Sequence, residues 1–282
     1  MSTHKTGLHH WFDSPPGRYL LEWEQARFDE AVADVFGYYS LQLGMPMLPG
    51  LRANRMPHRW LALGADHEMH PSSPLITPAS TPFIAPLAES GPWLAHLLAH
   101  AVALPFPDDS IDLLALPHTL EWSHDPHTAL REAVRVLVPE GRLVISGLHP
   151  ASLWGVQRQW ARLQQRAGVG DKHKGVDWPD GLQLIAPWRL RDWLRLLGCE
   201  VEELRFGCYR PAVRSAAWLQ RWAWLDGAGE RFWPILGAAY FVVAVKRVPA
   251  MHLLKPTWRS APAPERAASA VASFHPPKPD FD

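Results

Sequence analysis

The sequence predicts an α/β fold built on a parallel sheet. The first observation is an apolar run, Ile111 to Leu116, followed by a helical pattern that opens at Asp125-Pro126 and by a second apolar run, Arg142 to Gly147. Strand, helix and strand within about forty residues suit a right-handed βαβ crossover. The second observation is a pair of short apolar runs earlier in the chain, Tyr38–Leu43 and His58–Leu63, each bounded by turn residues. The third is Tyr240–Val245, a strongly β-prone final strand.

In chain order, Pro15-Pro16-Gly17 punctuates the start. From Arg18 to Tyr39, apolar residues recur at spacings of three and four with Glu and Asp between them, which predicts an amphipathic helix. Residues 45–58 are turn-rich. Residues 67–92 hold a proline every few positions, too many missing donors for a long helix or an interior strand. In the central helix, Leu130, Ala133, Val134 and Leu137 share one face, and Pro139-Glu140-Gly141 stops it. After a loop, Pro187–Leu197 reads as a short helix with Gly198 as its C-cap signal, followed by a strand over Glu200–Tyr209. Arg214–Leu225 is Trp-rich and helical. Residues 1–250 read as one domain with an insertion at about 210–235. Residues 251–282 read as a tail, largely disordered from about 260.

Composition narrows the function classes. The chain has 282 residues, 47% of them hydrophobic, enough for a sizeable core. Lys plus Arg and Asp plus Glu both number 28, so the net charge is zero, against a protein whose main task is gripping nucleic acid or an anionic membrane. Cys199 and Cys208 are the only cysteines, too few for a disulfide framework, and read as packing residues. No apolar stretch reaches membrane-spanning length and no targeting segment is visible, so the expected compartment is cytoplasmic. The pairs His96/His100 and the set His118, His124 and His127 lack the Cys or clustered carboxylates that would complete a metal site, and no metal is expected.

The segments Leu104-Pro-Phe-Pro-Asp-Asp-Ser-Ile-Asp-Leu-Leu-Ala-Leu-Pro-His118 and Asp125-Pro-His-Thr-Ala-Leu-Arg-Glu-Ala-Val-Arg-Val-Leu-Val-Pro-Glu-Gly-Arg-Leu-Val-Ile-Ser146 resemble the second half of a class I S-adenosylmethionine (SAM)-dependent methyltransferase of the type 11 group. The resemblance implies a doubly wound, mostly parallel, seven-stranded Rossmann-like sheet. It implies SAM as cofactor and methyl transfer to a small-molecule acceptor.

The first half departs from that family. Its opening strand ends in an acid and three alternating glycines, where glycine lets backbone approach the cofactor. Here Gln42 stands for the acid, Gly44 matches the first glycine, and Pro46 and Leu48 occupy the other two positions. The resemblance assigns Asp66 to the ribose hydroxyls, His100 with Ala101 to the adenine, and Pro117 with His118 to the cofactor edge of the fourth strand. The candidates for acid–base work are His118 and His149, the latter in His149-Pro-Ala-Ser-Leu-Trp-Gly155 after the fifth strand. Trp218, Trp222 and Trp224, with Arg214 and Arg221, form an acceptor lid for an apolar or quinone-like acceptor, a contact with a membrane surface, or ordinary core. The replaced glycines leave a second reading open: a non-catalytic binding or accessory protein on the same fold that has lost SAM. RNA modification is the weakest alternative, opposed by the neutral charge.

Overall fold

The computed structural model describes residues 11–64, 97–166 and 181–247. The Pro-rich segment 67–92, Asp66, His96 and the tail 251–282 lie outside the described residues. The first helix, α1 (Pro15–Val32), is opened by Ser14, whose hydroxyl accepts from Gly17 N, and by prolines in its first turn. It is shorter than its periodicity predicts. The Asn54 amide donates to the carbonyls of Val32 and Val35 and so satisfies the helix end, while Phe36 lies 81% exposed.

The strands are β1 (Tyr39–Leu43), β2 (His58–Leu63), β3 (Leu97–Leu98), β4 (Ile111–Pro117), β5 (Leu137–Leu148), β6 (Cys199–Gly207) and β7 (Ala239–Lys246). They form one sheet in the order β3-β2-β1-β4-β5-β7-β6. Neighbours from β3 to β5 are parallel, and β7 runs antiparallel between β5 and β6. This is the doubly wound, mostly parallel, seven-stranded architecture the resemblance implies.

The remaining helices are α2 (Thr119–Trp122), α3 (Pro126–Val136), α4 (Leu153–Arg166), α5 (Pro187–Leu196), α6 (Ala216–Arg221) and α7 (Trp224–Phe232), with a 3₁₀ turn over Pro234–Leu236. On one sheet face, Leu130, Ala133, Leu190 and Leu194 of α3 and α5 pack on Leu114, Leu116 and Ile145. On the other, Leu20, Phe28 and Val32 of α1 pack on Leu113, Ala115 and Val144. Alternate residues of β4 thus serve opposite cores, the pattern of a strand buried on both sides.

Two local expectations need correction. Pro139-Glu140-Gly141 does not separate helix from strand: β5 begins directly at Leu137, and Glu140, with φ 61°, sits where the pairing with β4 shifts register. Residues 153–166, expected as part of a loop, form α4; Ser152 starts it by accepting from Gly155 N at 3.1 Å.

Candidate functional site

β1, β2 and β4 end together, and ligands of doubly wound sheets bind outside such carboxyl ends. The ends of β1 and β4 are stitched by the Thr119 hydroxyl, which donates to the Leu43 carbonyl at 2.5 Å. Gly44 then turns the chain with φ +73°, a left-handed conformation that favours glycine. Among the described residues, a Cβ at Gly44 would meet only Thr119 Oγ1, at 3.7 Å, and one at Gly64, just past β2, would meet nothing within 4 Å. Among the described residues the backbone at both strand ends is therefore approachable, as a SAM cleft requires.

The loop after Gly44 is built differently from a glycine-rich one. Gln42 is buried, and its Nε2 donates to the carbonyls of Gly44, Met45 and Leu48 at 3.1, 3.0 and 2.8 Å, while its Oε1 accepts from Gly50 N at 2.9 Å. Two N–H groups serve three acceptors, so the donor side of the amide is fully spent on the loop. Met45 and Leu48 are buried in the core under α1. No helix forms between β1 and β2; the link is a series of turns clamped by one side chain. Gln42 therefore shapes the loop, with both N–H groups and one lone pair of its oxygen engaged by loop backbone.

The β4 end carries a charged cluster. His118 adopts φ 52° and is 1% exposed. Its Nδ1 lies 2.6 Å from Glu121 Oε2, and its Nε2 lies 2.9 Å from Oε1 of Glu24 on α1. The second contact is an ion pair in distance, without the angles of a hydrogen bond. The other Glu121 oxygen accepts from Leu148 N at the end of β5. Burial alone would lower the His118 pKa, but the two carboxylates outweigh it and push it up to about 10. Burial raises Glu121. The two carboxylates therefore favour the imidazolium form of His118, with Nδ1 on Glu121 and Nε2 facing Glu24. In that form it has no lone pair with which to accept a proton.

His149, past the end of β5, is different. Its ring lies between Trp188 and Phe206, with centroids 5.7 and 5.5 Å away, and burial lowers its pKa. A neutral imidazole retains acceptor capacity. Pro117 is buried at the end of β4. His100 and Ala101 sit in a tight turn after β3, closed by Ala103 N on the His100 carbonyl at 3.0 Å, with the His100 side chain exposed. No group of His, Cys, Asp and Glu among the described residues could hold a metal ion.

The Trp-rich insertion is not ordinary core. Trp218 and Trp224 are exposed, and Leu219 is the buried residue of α6. The insertion is anchored on α1: Tyr19 OH donates to Asp226, Arg210 pairs with Asp226 at 2.9 Å, and the Arg210 guanidinium lies 4.5 Å over the Tyr19 ring. Cys199 and Cys208 are buried in the two cores, and burial pushes the Cys199 thiol up to about 11. The apolar spacing of residues 153–163 was a usable signal for α4; nothing local marks Glu24.

Comparison with known proteins agrees with this geometry. The methyltransferase domain family matches residues 80–145. An uncharacterised protein of Escherichia coli is 40% identical over 103 residues, 36% of this chain and 38% of that protein. A malonyl-[acyl-carrier protein] O-methyltransferase of Halorhodospira halophila is 39% identical over 88 residues, 29% of this chain and 30% of that enzyme. The matched segments thus span only about a third of these curated relatives. A chain from the complex between the Haloferax volcanii Trm112 methyltransferase activator and a methyltransferase superposes with a TM-score of 0.51 at 18% identity, covering 83% of this chain and 94% of that one. The strand order and the superposition give this chain the class I methyltransferase fold, and its central segment, residues 80–145, is similar to the methyltransferase domain family.

Proposed function

We propose that the chain is a SAM-dependent methyltransferase acting on a small-molecule acceptor. The observation that carries the reading is the open backbone at Gly44 and Gly64, at the ends of two adjacent parallel strands. Bound SAM supplies an electrophilic methyl group on a sulfonium. The protein's part is alignment, because displacement at such a carbon depends mainly on geometry. Gln42 holds the Gly44 turn, Thr119 holds the end of β1 against β4, and the Glu24–His118–Glu121 cluster fixes α1 and the end of β5 around the same edge. Gly44, Pro117, His100 and Ala101 line the cofactor side, with Asp66 assigned to the ribose. His149 is the group suited to taking a proton from an acceptor that must lose one.

Titration calorimetry with SAM and with its demethylated product tests the reading. Binding that Gly44→Val abolishes supports it, and the absence of heat at millimolar ligand overturns it.

A second reading is favoured by one observation, the Gln42 clamp with Met45 and Leu48 packed beneath it. On that reading the fold serves as a non-catalytic binding or accessory module, and the same calorimetry decides between the two.

A further inference from the structure

The neutral net charge conceals a strong local asymmetry. Between Glu140 and Asp171 the sequence has no acidic residue, and within that interval α4 presents Arg162 to solvent, while Arg158 is buried with its guanidinium donating to the Leu182 carbonyl at 2.8 Å. One side of α4 is buried, with Trp154 edge-on to Trp11 at 6.0 Å and its indole donating to the Arg210 carbonyl at 2.6 Å. The opposite side is also apolar. Leu153, Val156, Trp160 and Leu163 are between 46% and 64% exposed. At 100° per residue they fall within an arc of about 80°. A surface helix normally turns polar groups to water; this one presents aliphatic and indole groups.

A second exposed apolar group lies at the same end of the sheet. Ala239 at the start of β7 pairs with Leu148 at the end of β5, so the residues entering β7 and the residues leaving β5 share one edge. Just before β7, Phe232, Trp233, Ile235 and Leu236 are all exposed, and Arg231 beside them is exposed as well. Trp188, exposed at the start of α5 and next to His149, adds to the same rim, with exposed Arg189 following it. This is the end of the sheet at which the candidate cleft opens.

We infer that this rim docks on the surface of an anionic lipid bilayer. Indole and aliphatic groups flanked by the exposed Arg162, Arg189 and Arg231, with no carboxylate on α4, match the interface between acyl chains and negatively charged headgroups. No helix among the described residues is long and apolar enough to cross a membrane, so the contact is peripheral. Docking in this orientation places the carboxyl ends of the strands at the lipid surface, which suits an amphipathic acceptor drawn from the bilayer. The docking itself does not depend on the proposed methyl transfer.

Sedimentation of the full chain with vesicles tests the inference. Vesicles of phosphatidylcholine alone are compared with vesicles containing phosphatidylglycerol, at low and high salt. The chain is expected to sediment with the anionic vesicles and to be released by salt. Trp160→Glu with Leu163→Glu should weaken that binding by at least roughly tenfold without shifting the thermal midpoint. Arg162→Glu and Arg231→Glu should weaken binding to anionic vesicles only. No sedimentation, equal and salt-insensitive binding to both vesicle types, or full binding by the double Glu variant overturns the inference. So does a wild-type chain that ignores vesicles but self-associates through this face on a sizing column.

Discussion

Glu24 Oε1 lies 2.9 Å from His118 Nε2, and neither side chain reaches solvent. The pair joins the first helix to the end of β4. With Glu121, whose second oxygen accepts from Leu148 N, it also ties in the end of β5. Three elements that surround the candidate cleft are thus held by one buried cation between two carboxyl groups.

Removing Glu24 leaves that cation with one partner fewer in a dry site. Glu24→Ala is expected to cost roughly 3–5 kcal/mol, the range for breaking one side of a buried pair. Urea unfolding at neutral pH measures it. Glu24→Gln keeps the volume and should cost less.

The same cluster predicts an alkaline loss of stability. His118 binds its proton more tightly folded, with a pKa of about 10, than unfolded, with the ordinary 6.5. Its contribution is therefore complete below pH 6.5 and disappears as pH rises through 10. Glu121, raised by burial, acts with the same sign from lower pH upward. Thermal midpoints measured from pH 6 to pH 10 should fall for the wild type, with a flatter profile in His118→Gln.

Restoring the family's motif residues should harm this protein. Gln42→Glu replaces the donating Nε2 by an acceptor facing three carbonyls, and a buried unsatisfied group costs roughly 1–3 kcal/mol or more when charged. Leu48→Gly empties a buried site, a change in the class that costs roughly 2–5 kcal/mol. Both variants should melt earlier than wild type in calorimetry, and neither should gain SAM affinity.

Gly44→Ala separates binding from folding. A side chain there has room but must adopt φ +73°, which costs roughly 1–2 kcal/mol. Gly44→Val adds bulk over the same backbone. A modest fall in thermal midpoint with complete loss of SAM binding is the expected result for the valine variant.

Acid–base chemistry, if the acceptor needs it, is expected at His149. Once the acceptor is identified, His149→Gln should lower kcat and remove the acidic limb of its pH profile, because burial already holds this imidazole below its ordinary pKa. His118→Gln should leave the shape of the profile unchanged.

The central half of the fold was legible because its signals are local. The apolar run of β4, the one-sided periodicity of α3 and the strand after it each lie within a dozen residues, and each buries the face its pattern specifies. The same local logic found β1, β2, α5 and β7. It overran α1, because the helix end is set by Asn54, a residue two elements away whose amide captures the last carbonyls. It left α4 in a loop although the spacing of Leu153, Val156, Trp160 and Leu163 is helical, because His149-Pro150 before it reads as a turn and no capping signal follows it.

Sequence alone thus determined the α/β class, the central crossover, the family likeness and the substitution of Gln42, Pro46 and Leu48 for an acid and two glycines. Tertiary structure decided what those substitutions do: Gln42 became an internal clamp because folding brings four backbone groups around one amide. It also decided the state of His118. An isolated histidine titrates near neutrality; this one is an imidazolium because burial and two distant carboxyl groups meet only in the folded chain. The physical reason is the same in both cases. Hydrogen-bond satisfaction and buried charge pairing are settled by neighbours in space, and neither leaves a periodic mark along the chain.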